Sequence, residues 1–172
     1  MLEIKVDQIK GSKARLQVYE NNIKIIETEA YIGKNGVTTN KAEGDGKTPL
    51  GTFKLGKAFG THADVKNKEY IKINPNIYWV DDAKSVYYNK LIDIEKIKPD
   101  FNSAEHLVEY KQQYEYAVEI KTNENNIPGK GSAIFLHCSV ERPTSGCVAI
   151  KSEIMKQIVG KIDENATICI EI

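Results

Sequence analysis

Residues 131–150 read Gly-Ser-Ala-Ile-Phe-Leu-His-Cys-Ser-Val-Glu-Arg-Pro-Thr-Ser-Gly-Cys-Val-Ala-Ile, and the fold turns on them. Ala133 to Leu136 is a short apolar run of the kind that forms a buried strand; it delivers His137 at its end. Arg142-Pro143-Thr144-Ser145-Gly146 has loop composition and delivers Cys147, after which Val148-Ala149-Ile150 is apolar again. Two readings stand side by side. Either a buried strand histidine and a structural cysteine never meet, or the pair forms a base and a nucleophile. A free thiol ionises near pH 8.5, and a neighbouring imidazolium lowers that by several units. On the second reading Cys147 therefore alkylates near pH 6, where an ordinary thiol does not. Ser145 and Gly146 are small enough to let a substrate carbonyl approach. They also leave main-chain N–H groups free for an oxyanion hole.

The rest of the chain narrows the choice. At 172 residues it reads as one domain, 1–172, long enough to bury a core without a disulfide or metal. Twenty-four basic residues balance 24 acidic ones, which argues against a nucleic-acid partner, since such a partner selects a basic surplus. The three cysteines, Cys138, Cys147 and Cys169, show no C-x-x-C spacing, and His62 and His106 lie far off in sequence. No metal site is expected. A Cys138–Cys147 disulfide would abolish the candidate nucleophile. No run of 18 apolar residues spans a membrane, and Met-Leu-Glu-Ile-Lys-Val-Asp is not a signal peptide.

Outward from the motif, residues 2–9, 13–20 and 23–32 alternate, with turns at Lys10-Gly11-Ser12 and Glu20-Asn21-Asn22. They predict an antiparallel meander. Residues 33–52 form a long glycine-rich loop. Gly46-Lys47-Thr48 matches the end of a phosphate-binding loop, but Lys41 stands where the first glycine belongs. Strands are predicted over 52–59, 70–73 and 114–121. A helix over roughly 102–113 is predicted from the capping-box spacing of Asn102 and Glu105. A second helix, over 153–161, is capped by Ser152, with Ile154, Met155, Ile158, Val159 and Ile162 on one face. The last strand, 167–172, puts Ile168, Ile170 and Ile172 on one side. In residues 74–93, aromatics stand beside carboxylates and amides, as suits a peptide or amino-sugar ligand. Trp79, Asp82, Tyr88 and Asn89 are candidate contacts there, with a core role the alternative for Trp79.

Three stretches, in order, resemble the L,D-transpeptidase family, the cysteine enzymes that cross-link peptidoglycan stem peptides. Glu43-Gly44-Asp45-Gly46-Lys47-Thr48-Pro49-Leu50-Gly51-Thr52-Phe53 is similar to the family's Gly-Asp-x-x-Thr-Pro-x-Gly-x-Phe signature. Trp79-Val80-Asp81-Asp82 with Tyr87-Tyr88-Asn89 resembles one branch. His137 and Ser145-Gly146-Cys147-Val148 match the catalytic motif. The usual His before the Gly is absent, the Arg two residues after the Cys is Ala149, and the His-to-Cys spacing is ten. A branch ending in a Thr-Ala-Gly-Cys-Val-Ala-like motif is closer.

The resemblance implies a mainly β (α+β) fold with a few short helices, a β-sandwich of mixed sheets. It implies an acyltransferase needing no cofactor, in which Cys147 attacks a tetrapeptide stem at its third residue, a diamino acid, and expels D-alanine. His137 is the base, and the N–H of Cys147 with that of Gly146 or a facing loop residue supplies the oxyanion hole. Ser145 is a candidate substrate contact. Arg142, in the loop between base and nucleophile where the usual later Arg is absent, is expected to take over contact with a substrate carboxylate, a solvated loop Arg being the alternative. Water in place of an amine acceptor makes the same acyl-enzyme an L,D-carboxypeptidase. A non-catalytic cell-wall-binding module is the remaining alternative. The family also implies an extracytoplasmic, carbapenem-sensitive protein, and a monomer is expected.

Overall fold

The computed structural model describes residues 1–172. Strands β1 (Leu2–Lys10), β2 (Lys13–Glu20) and β3 (Ile23–Tyr31) form the expected antiparallel meander. Period-2 patterning sets its register: Leu2, Ile4 and Val6 of β1 and Ala14, Leu16 and Val18 of β2 are buried, while the alternate residues face outward. Each buried Leu, Ile or Val among them stabilises the fold by about 1.5–3 kcal/mol.

The glycine-rich loop holds only a two-residue bridge of β4 (Val37–Thr38) with β5 (Thr48–Pro49). Then follow β6 (Gly51–Gly60), β7 (Ile71–Lys72), β8 (Ile77–Val80), β9 (Leu91–Asp93), β10 (Ala104–His106), β11 (Ala117–Ile120), β12 (Phe135–Cys138), β13 (Val148–Ile150), helix α1 (Ser152–Lys161) and β14 (Thr167–Glu171). The main sheet runs β11-β12-β13-β3-β2-β1-β14-β6-β7. Its strands are both parallel and antiparallel, as expected for a mainly β fold of mixed sheets. Strand β6 closes this sheet on itself, its first half pairing with β14 and its second half with β11. The pairings therefore close on themselves and leave few free edges.

Two cores result. The larger gathers the inward residues of the meander with Leu136, Cys138, Val148 and Ile150, and with Met155, Ile158 and Val159 of α1. The smaller lies on the opposite face of β12, where β10-β8-β9 packs over it. It is built from Phe59, Trp79, Tyr114 and Phe135, with Cys147 packed against it. Ring centroids there lie 4.8–6.1 Å apart, mostly edge-to-face.

Three local expectations are corrected. Residues 104–106 are a strand followed by a single 3-10 turn, Leu107–Glu109, and not a longer helix. Glu105 pairs in register with Trp79 across β8 instead of capping Asn102. Ser152 does not cap α1; its hydroxyl donates to the Glu115 carboxylate at 2.5 Å. Ile172 is exposed, although Ile168 and Ile170 are buried.

Candidate active site

His137 and Cys147 are brought together by sheet register. β12 and β13 are parallel neighbours, pairing Leu136 with Val148 and His137 with Ala149. Cys147 therefore falls opposite Phe135, and the Phe135 N–H donates to its Sγ at 3.3 Å. Alternation then puts Phe135, His137, Cys147 and Ala149 on one face of the sheet. Across one strand and two residues along, the Cα atoms of His137 and Cys147 stand about 8 Å apart. The two side chains line one cleft of about 380 Å³ with Glu105, Tyr110, Tyr114, Arg142 and Ser145. The loop that returns from β12 to β13 is held down by a parallel bridge between Gly33 and Thr144, whose two main-chain bonds join Thr144 to Ile32 and Lys34 just past β3.

Position alone does not set the chemistry. His137 is 7% exposed. Its Nδ1 lies 2.9 Å from the Cys138 carbonyl. That carbonyl only accepts, so Nδ1 carries the proton and Nε2 is left as the basic nitrogen. A main-chain carbonyl thus orients the imidazole. The edge of Tyr114 packs on the imidazole at 5.6 Å between centroids. Burial lowers the His137 pKa to about 4, opposed by the carbonyl. Burial raises that of Cys147 to about 12, with the Glu105 carboxyl adding to the rise and Phe135 N–H and Lys41 opposing it. The expected thiolate–imidazolium pair is thus corrected to two neutral groups at neutral pH. The thiol donates to the Ala133 carbonyl at 3.3 Å, and no hydrogen bond joins it to His137. All three cysteines are free thiols, so no disulfide occupies the site.

The groups around Cys147 fix its backbone. Gly146 has φ 144°, and a Cβ there would lie 3.0 Å from the Lys47 carbonyl and 3.1 Å from Ile134, so only glycine fits without strain. Thr144 Oγ1 donates to the Cys147 carbonyl at 2.7 Å and accepts from Gly146 N–H at 3.1 Å. The buried Thr48 hydroxyl reaches the same carbonyl at 3.4 Å and accepts from Gly33 N–H at 2.8 Å. The Cys147 N–H donates no turn or loop bond. Lys41 pairs with Asp45 next to this loop.

The remaining sequence candidates divide. Arg142 and Ser145 are exposed residues on the cleft. Trp79 is 1% exposed and belongs to the core, with its indole N–H donating to Asn89 at 3.1 Å, which corrects its reading as a ligand contact. Tyr88 is buried and donates to Glu43, which also accepts from Ser132. Asn89 is likewise used internally: Oδ1 accepts from Trp79 and from the Ala133 N–H, and Nδ2 donates to Asn126. Asp82 accepts from the N–H groups of Lys84 and Asn102 and orders a turn outside the cleft. The sequence reading missed Ala133, Thr144, Tyr114 and Glu105. Ala133 has φ 52°, rare for a non-glycine residue. Asn89 holds its N–H, and its carbonyl meets the thiol.

The mixed β-fold thus sets His137 and Cys147 on one face of a parallel strand pair, at one cleft. The YkuD family, described as the L,D-transpeptidase catalytic domain, matches residues 3–170. The chain belongs to that family. No curated protein matches it. Among solved structures, it is similar to the helical cell shape determining protein Pgp2 from Campylobacter jejuni, with 19% identity and a TM-score of 0.51 over 99% of this chain and 47% of that one. It is also similar to L,D-transpeptidase 1 of Mycobacterium tuberculosis, with 13% identity and a TM-score of 0.47 over 99% of this chain and 61% of that one. A third is the L,D-transpeptidase of Enterococcus faecium, with 12% identity and a TM-score of 0.46 over 98% of this chain and 48% of that one. The chain spans about half the length of these structures. No helix is long and apolar enough to cross a membrane.

Proposed function

We propose that the protein is an L,D-transpeptidase that forms 3→3 cross-links between peptidoglycan stem peptides outside the cytoplasm, through an acyl-enzyme on Cys147. The observation that carries this is the placement of Cys147 and His137 on one face of two paired strands, at one cleft. From the neutral pair, Nε2 of His137 takes the thiol proton as Sγ attacks the carbonyl of the stem's third residue. The resulting imidazolium keeps its Nδ1–H on the Cys138 carbonyl. The developing oxyanion meets the Cys147 N–H and, once Thr144 yields it, the Gly146 N–H. Losing one such donor typically costs about 2.7–4 kcal/mol of barrier. Collapse breaks the peptide bond, and His137 returns the proton to the departing D-alanine amine. Arg142, free on the rim, pairs with a substrate carboxylate. A guanidinium grips a carboxylate with two parallel bonds. An amine from a second stem then takes the acyl group; water in its place gives carboxypeptidase action.

The thiol's bond to Ala133 favours a second reading, a cell-wall-binding module in which Cys147 is inert. Incubation with tetrapeptide muropeptide, followed by mass spectrometry, separates the possibilities. A cross-linked dimer supports the transpeptidase, a tripeptide with free D-alanine the carboxypeptidase, and unaltered muropeptide with unmodified Cys147 the binding module.

A further inference from the structure

We infer that the Glu105 wall of the catalytic cleft binds the side-chain ammonium of the stem peptide's diamino acid. This rests on the reading of the cleft as a stem-peptide site. Glu105 reaches the cleft from β10, bonded to Tyr114, whereas Arg142 comes from the loop between β12 and β13. Its carboxyl takes one hydrogen bond, from the Tyr114 hydroxyl at 2.5 Å, and belongs to none of the protein's ion pairs.

The charges that face it are the wrong sign for a partner. Asp81 and Glu43 are acidic neighbours, and with burial they raise the Glu105 pKa to about 7, against the Tyr114 bond. Glu109 faces Tyr110, and Cys147 and His137 are neutral. A second observation points the same way: Oδ1 of Asp81 is buried with no hydrogen-bond partner. A half-buried carboxyl among carboxylates, open to a cleft, lacks a cation. An ammonium supplies one, with three donors, and the exposed ring of Tyr110 offers it a π face. Arg142, from a different element, lines the same cleft, so the site carries groups of both signs. Binding at pH 6 then releases the Glu105 proton, because the ammonium favours the carboxylate.

The test is calorimetric and needs no turnover. In a Cys147→Ala background, a tetrapeptide stem with its side-chain amine free is compared with the same stem N-acetylated. The free amine is expected to bind about tenfold tighter, with proton release at pH 6. Adding Glu105→Gln, which keeps the shape and an acceptor for Tyr114, should bring the ratio to about one and abolish the proton release while leaving affinity for the acetylated stem unchanged. Equal affinity for both stems, a ratio that survives Glu105→Gln, or an equal loss for both stems would overturn the inference. Wild-type Cys147 that stays unacylated while the ratio holds would instead refute the nucleophile assignment and support this one.

Discussion

Buried and neutral, His137 makes the stability of the fold depend on pH in a way that isolates its environment. The unfolded imidazole takes its proton near pH 6.5; in the fold burial lowers that to about 4. Between these values the unfolded chain binds more protons than the folded one, so stability falls as pH drops from 6.5 towards 4. With 1.36 kcal/mol per pKa unit, the loss from pH 7 to pH 4 is about 3 kcal/mol from this group alone. Other groups titrate nearby. The lowered carboxylates Asp45 and Asp64 lose stability in the same direction as acid is added, while Glu105, raised to about 7, gains it. His137→Gln separates them, since glutamine keeps a donor for the Cys138 carbonyl and does not titrate. Urea unfolding at pH 7 and pH 4 should show wild type losing about 3 kcal/mol more than His137→Gln. Equal losses would mean that the imidazole is solvated or paired, and the neutral-pair mechanism would fall with it. The same variant should lower acylation of Cys147 by about 10²–10⁴-fold, as expected when a general base is lost.

Labelling with a carbapenem should add one adduct by intact mass, lost in Cys147→Ala and kept in Cys169→Ala; an adduct on Cys138 would remove Cys147 from its role. Iodoacetamide at pH 8 should modify the half-buried Cys169 before Cys147, whose thiol is pushed up to about 12, and fast alkylation of Cys147 at pH 6 would contradict that. Gly146→Ala should fold less stably by about 1–2 kcal/mol, from left-handed strain, and should acylate more slowly because the new Cβ presses on the Lys47 carbonyl; wild-type acylation would show that the loop adapts. Arg142→Ala should raise the KM for a stem carrying a free carboxylate with little change in kcat, and an unchanged KM would return Arg142 to solvent.

The parts of this protein legible in its sequence are those in which one residue's pattern dictates one local geometry. Strict alternation in residues 2–31 determines which side chains face inward, because a slip of one residue would expose every aliphatic in β1 and β2. The apolar run ending at His137 and the Ser-Gly before Cys147 likewise announce a strand and a loop. What sequence spacing could not convey is register between strands distant in the chain. Cys147 and His137 share a face only because Leu136 pairs with Val148, and Glu105 enters the same cleft only because β10 adds to β8.

Asn102-x-x-Glu105 shows how local grammar misleads. The spacing satisfies a capping box, yet the main-chain groups of 104–106 find partners across β8 instead, and the glutamate is released to face the cleft. The burial that neutralises His137 and Cys147 is equally non-local, arising where a small aromatic core closes over β12. Both effects trace largely to one stretch of chain, residues 73–116, which supplies β8, β9 and β10 and half of the small core over β12. The meander and α1 hold the strands that carry His137 and Cys147. That second layer sets their protonation and adds Glu105 and Tyr114 to the cleft, so substitutions there are expected to change which substrate is taken, and those in the meander to change only stability.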